Sequence, residues 1–85
     1  MRSRCTKKFW KMYNDLPPEA RQAADRAYEQ WGKDPGQPGL SFKATHEIED
    51  EWYVRINDNY RAVCIKRPDG WLWYGIGDHD WFDRR

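Results

Sequence analysis

The sequence predicts an α+β fold in which an N-terminal helical hairpin packs on a four-stranded antiparallel sheet. Up to about residue 32 the apolar side chains recur every three or four positions, as on one face of a helix. Beyond residue 40 they alternate with a period of two, as in strands, and only short turns separate the segments, which requires antiparallel neighbours. We therefore expect one domain over residues 1–85, with helices at about 4–16 and 18–32 and the sheet at about 41–77.

The first helix is bounded by a capping residue and a proline pair. Thr6 can accept a hydrogen bond at the N-terminus, and Pro17-Pro18 ends the helix because a residue before proline avoids helical angles. Its apolar side chains are Phe9, Trp10, Tyr13 and Leu16.

The second helix carries a continuous apolar stripe. Its members are Ala20, Ala23, Ala24, Ala27, Tyr28 and Trp31. The small alanines would let the two helices approach closely, with Tyr28 and Trp31 filling the wider end near the sheet. Gly32 and Asp34-Pro35 then end the helix.

The sheet is predicted from four segments and two turns. The strands are expected at 41–46, 51–57, 60–67 and 71–77, where β-branched and aromatic residues are frequent. Asn57-Asp58-Asn59 and Pro68-Asp69-Gly70 are the hairpin turns.

Composition excludes several classes of protein. Six Trp and five Tyr supply core area that the scarce aliphatic residues do not, and the net charge is only +1. Cys5 and Cys64 lack companions at metal-ligand spacing, so we assign neither a disulfide, a metal nor a cofactor. No segment has the roughly 18 apolar residues of a membrane span, and no apolar stretch follows the basic N-terminus. A cytoplasmic protein with no membrane partner is expected.

Arg55, Arg61 and His79 are the candidate catalytic residues. They lie in or directly after predicted strands, and guanidinium groups suit phosphate recognition. A two-residue turn would place Arg61 opposite Ile56, whereas a three-residue turn would place it opposite Arg55 on one face. The sequence leaves this register open. The alternative role for either arginine is an ion pair with the acidic run at 47–51, itself either solvated surface or a functional patch.

The remaining candidates are weaker. His79 follows two glycines and could transfer protons near neutral pH, held more positive by Asp78 and Asp80, although a lone histidine is ordinarily a surface residue. Lys43 and Lys66 are strand cations that could bind substrate phosphates.

The same residues give the chain a resemblance to the RelE/ParE superfamily of bacterial toxins, in its short RelE-like branch. The matching segments are Leu16-Pro17 with Glu19, Asp34-Pro35, Leu40 with Phe42-Lys43, Tyr53-Val54-Arg55-Ile56, Tyr60-Arg61-Ala62-Val63, and Trp73-Tyr74-Gly75-Ile76-Gly77-Asp78-His79 with Asp83. They run in order over nearly the whole chain. The strand Tyr-Arg pair followed by a Gly-x-His ending is the most distinctive of them.

The resemblance implies the toxin of a type II toxin-antitoxin system, bound and blocked by a cognate antitoxin protein. Its implied activity is an endoribonuclease that cleaves mRNA at the ribosome without a metal, because the substrate's 2′-hydroxyl attacks the adjacent phosphate. Arg61 would steady that phosphate, Arg55 would be a neighbouring cation and His79 would transfer a proton. The alternatives are a ParE-like gyrase poison that is not an enzyme, and a degenerate toxin that only binds its antitoxin. In each case an aromatic edge at Trp71, Trp73 and Trp81 could receive a helix or strand of the antitoxin.

The chain departs from the family in two respects. Phe82 stands before Asp83 where relatives usually have tyrosine, so any role of that phenolic hydroxyl is lost. The chain also begins almost directly in the first helix, and we therefore expect neither the leading strand nor the closing helix of longer members.

Overall fold

A computed structural model describes residues 2–85 as three helices packed around a mixed sheet. The chain runs β1 (Ser3–Cys5), α1 (Lys7–Asn14), α2 (Pro18–Lys33), a 3-10 turn (Pro38–Leu40), β2 (Lys43–Ala44), β3 (Glu51–Arg55), β4 (Tyr60–Arg67), β5 (Gly70–Asp78) and α3 (His79–Arg84). The strand order is β1-β5-β4-β3-β2.

The sheet therefore has five strands, not the four expected. The additional strand is β1, which pairs parallel to β5 with Ser3 opposite Trp71 and Cys5 opposite Trp73, so the sheet is mixed and not wholly antiparallel. A leading strand and the closing helix α3 are both present, contrary to the expectation for this chain. Sequence patterns missed β1 because three residues are too few to show a period.

The predicted start of the first helix at residue 4 is also wrong. Thr6 is the N-cap, and its hydroxyl accepts a hydrogen bond of 3.0 Å from the backbone N–H of Phe9. Pro18 opens α2 at a position where a missing N–H costs nothing. Among residues 2–85, no helix combines the length and the apolar character needed to cross a bilayer.

The core lies between α1, α2 and one face of the sheet. Trp31, 2% exposed, is its largest fully buried side chain and makes edge-to-face contacts with Trp71 and Trp73. Such pairs add about 1 kcal/mol each beyond area burial. Tyr28 does not fill this end of the core as expected, because the residue is 52% exposed.

The predicted strand at 41–46 is reduced to the two residues of β2. Ser41, with φ 47°, and His46, with φ 65°, both have left-handed backbone conformations, which no strand accommodates. The segment therefore bends away from the sheet on either side of Lys43–Ala44.

Candidate functional site

The sheet has two unlike faces. Val54, Ala62 and Ile76 point into the core beneath α1 and α2, whereas the alternate residues of β3, β4 and β5 point the other way, toward α3. We call this second surface the α3 face.

Arg55, Arg61 and Gly77 form one row across the α3 face. The register pairs Arg55 with Arg61 and Arg61 with Gly77. The turn between β3 and β4 therefore has three residues, flanked by Ile56 and Tyr60. The backbone N–H of Ile56 donates to the carbonyl of Tyr60 at 3.0 Å. The Asn57 side chain fixes this turn, since it accepts hydrogen bonds from the backbone N–H groups of Asn59 at 2.8 Å and Tyr60 at 3.0 Å.

The two guanidinium groups differ in what they contact. Arg61 donates to the backbone carbonyls of Asn57 at 2.7 Å and Tyr60 at 3.0 Å, and within residues 2–85 no carboxylate pairs with it. Arg55 pairs with Asp58, itself 84% exposed, and not with the acidic run. Arg61 can therefore bind an anion without giving up a carboxylate partner. Arg55 would first have to release Asp58, which is exposed to solvent.

His79 begins α3 beside the same turn. Its backbone N–H donates to the carbonyl of Asn59 at 2.7 Å, and its Nδ1 lies 3.2 Å from the Asp83 carboxylate. A carboxylate on Nδ1 fixes the imidazole so that Nε2 is left for proton exchange. Asp83, and not the expected Asp78 or Asp80, is therefore the acidic partner. Asp78 instead caps α3 by accepting from the Trp81 N–H at 2.8 Å.

The two candidate lysines lie on opposite faces. Lys43 is opposite Tyr53, which belongs to the α3 face, whereas Lys66 is opposite Trp71, which packs against the core side. The structure thus brings Lys43 to the face of Arg55 and Arg61 and leaves Lys66 behind the sheet.

Glu51 is the buried residue beside the site that sequence reasoning missed. It is 1% exposed, although it belongs to the acidic run, and its carboxylate forms a bidentate pair with Arg85 at 2.7 and 3.2 Å. Thr45 at 2.8 Å and the hydroxyl of Tyr74 donate to the same carboxylate. The available signal was its place in β3, two and four residues before Tyr53 and Arg55, which puts all three on one face.

Helix α3 is held flat on its face of the sheet. Trp81 covers Gly75 and Gly77 so closely that a Cβ on either glycine would lie within 3.0 Å of the indole. The Arg85 guanidinium, paired with Glu51, also lies over the ring of Phe82 at 4.7 Å. His79 is therefore positioned by contacts at both ends of its helix.

Phe82, the departure from the family pattern, packs against Tyr53 with ring centroids 5.0 Å apart. The predicted aromatic edge is not a single surface. Trp73 is buried, 3% exposed, and Trp81 lies on the other face of the sheet from Trp71.

Sequence comparison adds nothing to this description: no protein-family model matches the chain, and the search of curated proteins found no match. Solved structures do match. The RelE–RelB complex from Methanococcus jannaschii superposes with a TM-score of 0.75 at 15% identity, covering 94% of each chain. The fold is that of the RelE-like toxins.

Two further RelE-like structures match over nearly the whole chain. The YoeB/ParE toxin from Agrobacterium tumefaciens has a TM-score of 0.71 at 14% identity, covering 93% of this chain and 99% of that one. The isolated Escherichia coli RelE toxin has a TM-score of 0.67 at 10% identity, covering 96% and 92%. The RelE-like fold thus extends over almost all of this chain, with few identical residues.

Proposed function

We propose that this protein is the toxin of a type II toxin-antitoxin system and an endoribonuclease that cleaves mRNA at the ribosome. The observation that carries the proposal is the row on the α3 face of a RelE-like fold, in which Arg61 pairs with no carboxylate among residues 2–85 and His79 lies at the same turn. A phosphate contact and a proton-transfer group are what this reaction requires of the protein.

The chemistry assigns a separate task to each side chain. The substrate's 2′-oxygen attacks the adjacent phosphorus while its hydroxyl proton passes to solvent, the bond to the 5′-oxygen breaks, and a 2′,3′-cyclic phosphate remains. Arg61 offsets the charge that grows on the phosphate oxygens, and the His79 Nε2–H gives its proton to the departing 5′-oxygen. Arg55 adds positive charge once the phosphate replaces Asp58, and Lys43 contacts a more distant phosphate of the strand.

Arg61→Ala tests the site, and Lys66→Ala is its matched control, because both remove a cation from β4 but from opposite faces. Loss of an oxyanion-stabilising donor costs about 100-fold or more in rate. We expect Arg61→Ala to abolish growth arrest and mRNA cleavage while Lys66→Ala retains both. Cleaved RNA should end in a cyclic phosphate, and a 2′-deoxy substitution at the cleaved nucleotide should block the reaction. Equal activity of the two variants would remove this site from the mechanism.

The same expression experiment separates the alternatives. Intact mRNA with arrested DNA replication would indicate a ParE-like gyrase poison. Absence of any toxicity would indicate a degenerate toxin that serves only to bind a partner.

The proposed partner is a small antitoxin protein. The neighbour from Methanococcus jannaschii is an antitoxin–toxin complex, as is RelBE2 from Mycobacterium tuberculosis, which matches with a TM-score of 0.69 at 16% identity. Co-expression of the adjacent gene product with tagged protein should yield a stable complex and relieve toxicity. Failure to co-purify would argue against it.

A further inference from the structure

The first eleven residues carry positive charge that the proposed nuclease site does not use. Their cations are Arg2, Arg4, Lys7, Lys8 and Lys11, and the segment contains no acidic residue. These five give +5, and because the whole chain has a net charge of only +1, residues 12–85 together carry −4. The excess positive charge of this protein is therefore concentrated in β1 and α1.

These cations are available to an anion. All five are exposed, and among residues 2–85 no carboxylate pairs with Arg2 or with the three lysines. Arg4 lies 3.6 Å from Asp69, in a pair that is more than half exposed on both sides and therefore weak. Lys7 and Lys11 are one helical turn apart and share a face of α1. The surface thus suits a ligand with several negative charges.

Trp10 lies on the same face of α1, between Lys7 and Lys11. It is 49% exposed, and its ring contacts those of Phe9 and Tyr13 edge to face, with centroids 5.4 Å away in each case. Phe9 is buried and the Tyr13 hydroxyl is hydrogen-bonded to α2 at 2.7 Å, so both neighbours of the indole are held in place. A planar ligand group therefore meets an exposed ring that is already ordered.

Unpaired cations beside an exposed aromatic ring are what single-stranded nucleic acid requires. Phosphates contact the cations, and an unpaired base stacks on the ring. An acidic protein segment would match the charges but has no comparable use for the flat face of an indole. We propose that α1 and β1 form a second RNA-binding surface, on which Trp10 stacks an unpaired base and Lys7 and Lys11 contact phosphates on either side. The choice of RNA rests on the proposed function, whereas the surface itself is separate from Arg61.

This surface would bind a different part of the RNA from the part that is cleaved. Helix α1 packs on the core side of the sheet, whereas Arg61 lies on the α3 face. Arg4 connects the two sides. Ser3 is hydrogen-bonded to Tyr28 of α2 and Cys5 packs against the core, so the intervening Arg4 side chain points to the α3 face. Positive charge therefore continues from α1 round β1, which is an edge strand.

A short single-stranded 2′-O-methyl RNA is the probe, because attack by a 2′-hydroxyl cannot cleave it. In ¹H–¹⁵N spectra of the whole protein it should shift the indole N–H signal of Trp10 saturably. The affinity read from this signal should fall with salt, with each phosphate contact contributing about 0.7 to the logarithmic slope. Lys7→Ala and Lys11→Ala should each reduce the slope by about 0.7. Lys33→Ala is the control and should leave it unchanged, because Lys33 is an exposed helix lysine already paired with Glu29.

The stacking is tested by two substitutions of Trp10. Trp10→Phe retains an aromatic face, whereas Trp10→Leu retains apolar volume without one. Anisotropy of labelled 2′-O-methyl RNA, measured in the Arg61→Ala protein to weaken binding at the other face, should show about a fivefold or greater loss of affinity in Trp10→Leu. Trp10→Phe should retain most of the affinity.

An unmoved Trp10 signal, or equal affinity of the two Trp10 variants, would overturn the proposal. Lysine variants that keep the full salt slope but no longer co-purify with the adjacent gene product would also overturn it, and would assign the surface to an acidic protein partner. Cleavage of unmodified mRNA by the native protein is read separately. Its absence would refute the nuclease, but it would not alter the binding measured with the 2′-O-methyl probe.

Discussion

Glu51 decides how α3 sits on the sheet. A carboxylate taken out of water is tolerated only when paired and hydrogen-bonded, and this one has Arg85, Thr45 and Tyr74 around it. The Arg85 side chain is itself only 15% exposed, so solvent does not screen the pair as it would at the surface.

Arg85→Ala should therefore lower the free energy of unfolding by about 3 kcal/mol, because it leaves a buried charge without its partner. Urea denaturation measures this directly. The control is Arg84→Ala, at an exposed neighbour for which a change within about 0.5 kcal/mol is expected. Equal effects of the two substitutions would mean that the pair contributes nothing.

Because of Cys64, the free energy of unfolding should decrease as the pH rises through the alkaline range. Burial first, and then the nearby charge of Glu51, raises the pKa of its thiol well above the ordinary value of 9.0. Above pH 9 the unfolded chain loses this proton while the folded chain retains it, so stability falls as pH rises.

Between pH 9 and pH 10 the native protein should lose about 1 kcal/mol more stability than Cys64→Ala, which has no proton to lose. Urea titrations at the two pH values, run on both proteins, provide the measurement. Parallel losses would show that the thiol is not the group responsible.

At the scale of elements, β5 and α3 fit each other through glycine. Gly75 and Gly77 supply a flat strip on which the Trp81 indole lies, and β4 contributes Val63 beside it. The strand thereby fixes the angle at which α3 leaves the sheet, and with it the place of His79.

Gly77→Ala should displace Trp81, because the added Cβ would lie 2.8 Å from the ring. We expect a loss of about 1–3 kcal/mol in the free energy of unfolding, and a decrease in the proposed RNA cleavage because His79 moves. Gly32→Ala in α2 meets nothing within 4 Å and should leave stability unchanged or raise it by up to about 1 kcal/mol. Thermal melts of the two variants, compared with the parent, distinguish the effect of the contact with Trp81 from the effect of replacing a glycine in the backbone.

Sequence patterns predicted correctly those helices and strands whose capping residues or apolar period lie within the element itself. The Thr6 cap and the strand at 60–67 appear in the structure as the sequence indicates, because a hydroxyl before a helix and a period of two are local features. Strand β1 was missed since its partner is almost seventy residues away, and α3 because six residues with no fully buried side chain show no stripe.

The candidate site likewise contains residues that local patterns could place and residues that depend on distant parts of the sequence. Arg61 and Arg55 could be placed on strands from the sequence, but their common row depended on a turn length that only the Asn57 hydrogen bonds decide. Glu51 was missed because its neighbours at 47–50 are exposed, so the run has the composition of a solvated surface. Glu51, the last residue of the run, is buried because it pairs with Arg85, and no local sequence pattern connects these two residues.

At the scale of the whole molecule, one aromatic cluster joins the helices to both halves of the sheet. Trp31 of α2 contacts Phe42 before β2 and Trp71 of β5, and Phe42 packs on Trp52 of β3. Aromatic rings therefore replace the aliphatic core that the composition does not provide.

Because this cluster spans the fold, unfolding should be a single cooperative transition. Tryptophan fluorescence and far-UV circular dichroism should give coincident urea curves. A fluorescence change that precedes the loss of helix signal would show that the cluster opens before the rest.

The parallel pairing of β1 with β5 also dictates when the protein can become complete. Trp71–Trp73, the hydrogen-bonded partner of Ser3–Cys5, lies almost seventy positions later in the sequence and is therefore synthesised well after it. Until β5 has been synthesised, β1 has no strand to join, and contacts so distant in sequence form slowly. The sheet can therefore close only after β5 has been made, and the row of Arg55, Arg61 and Gly77 is complete only then.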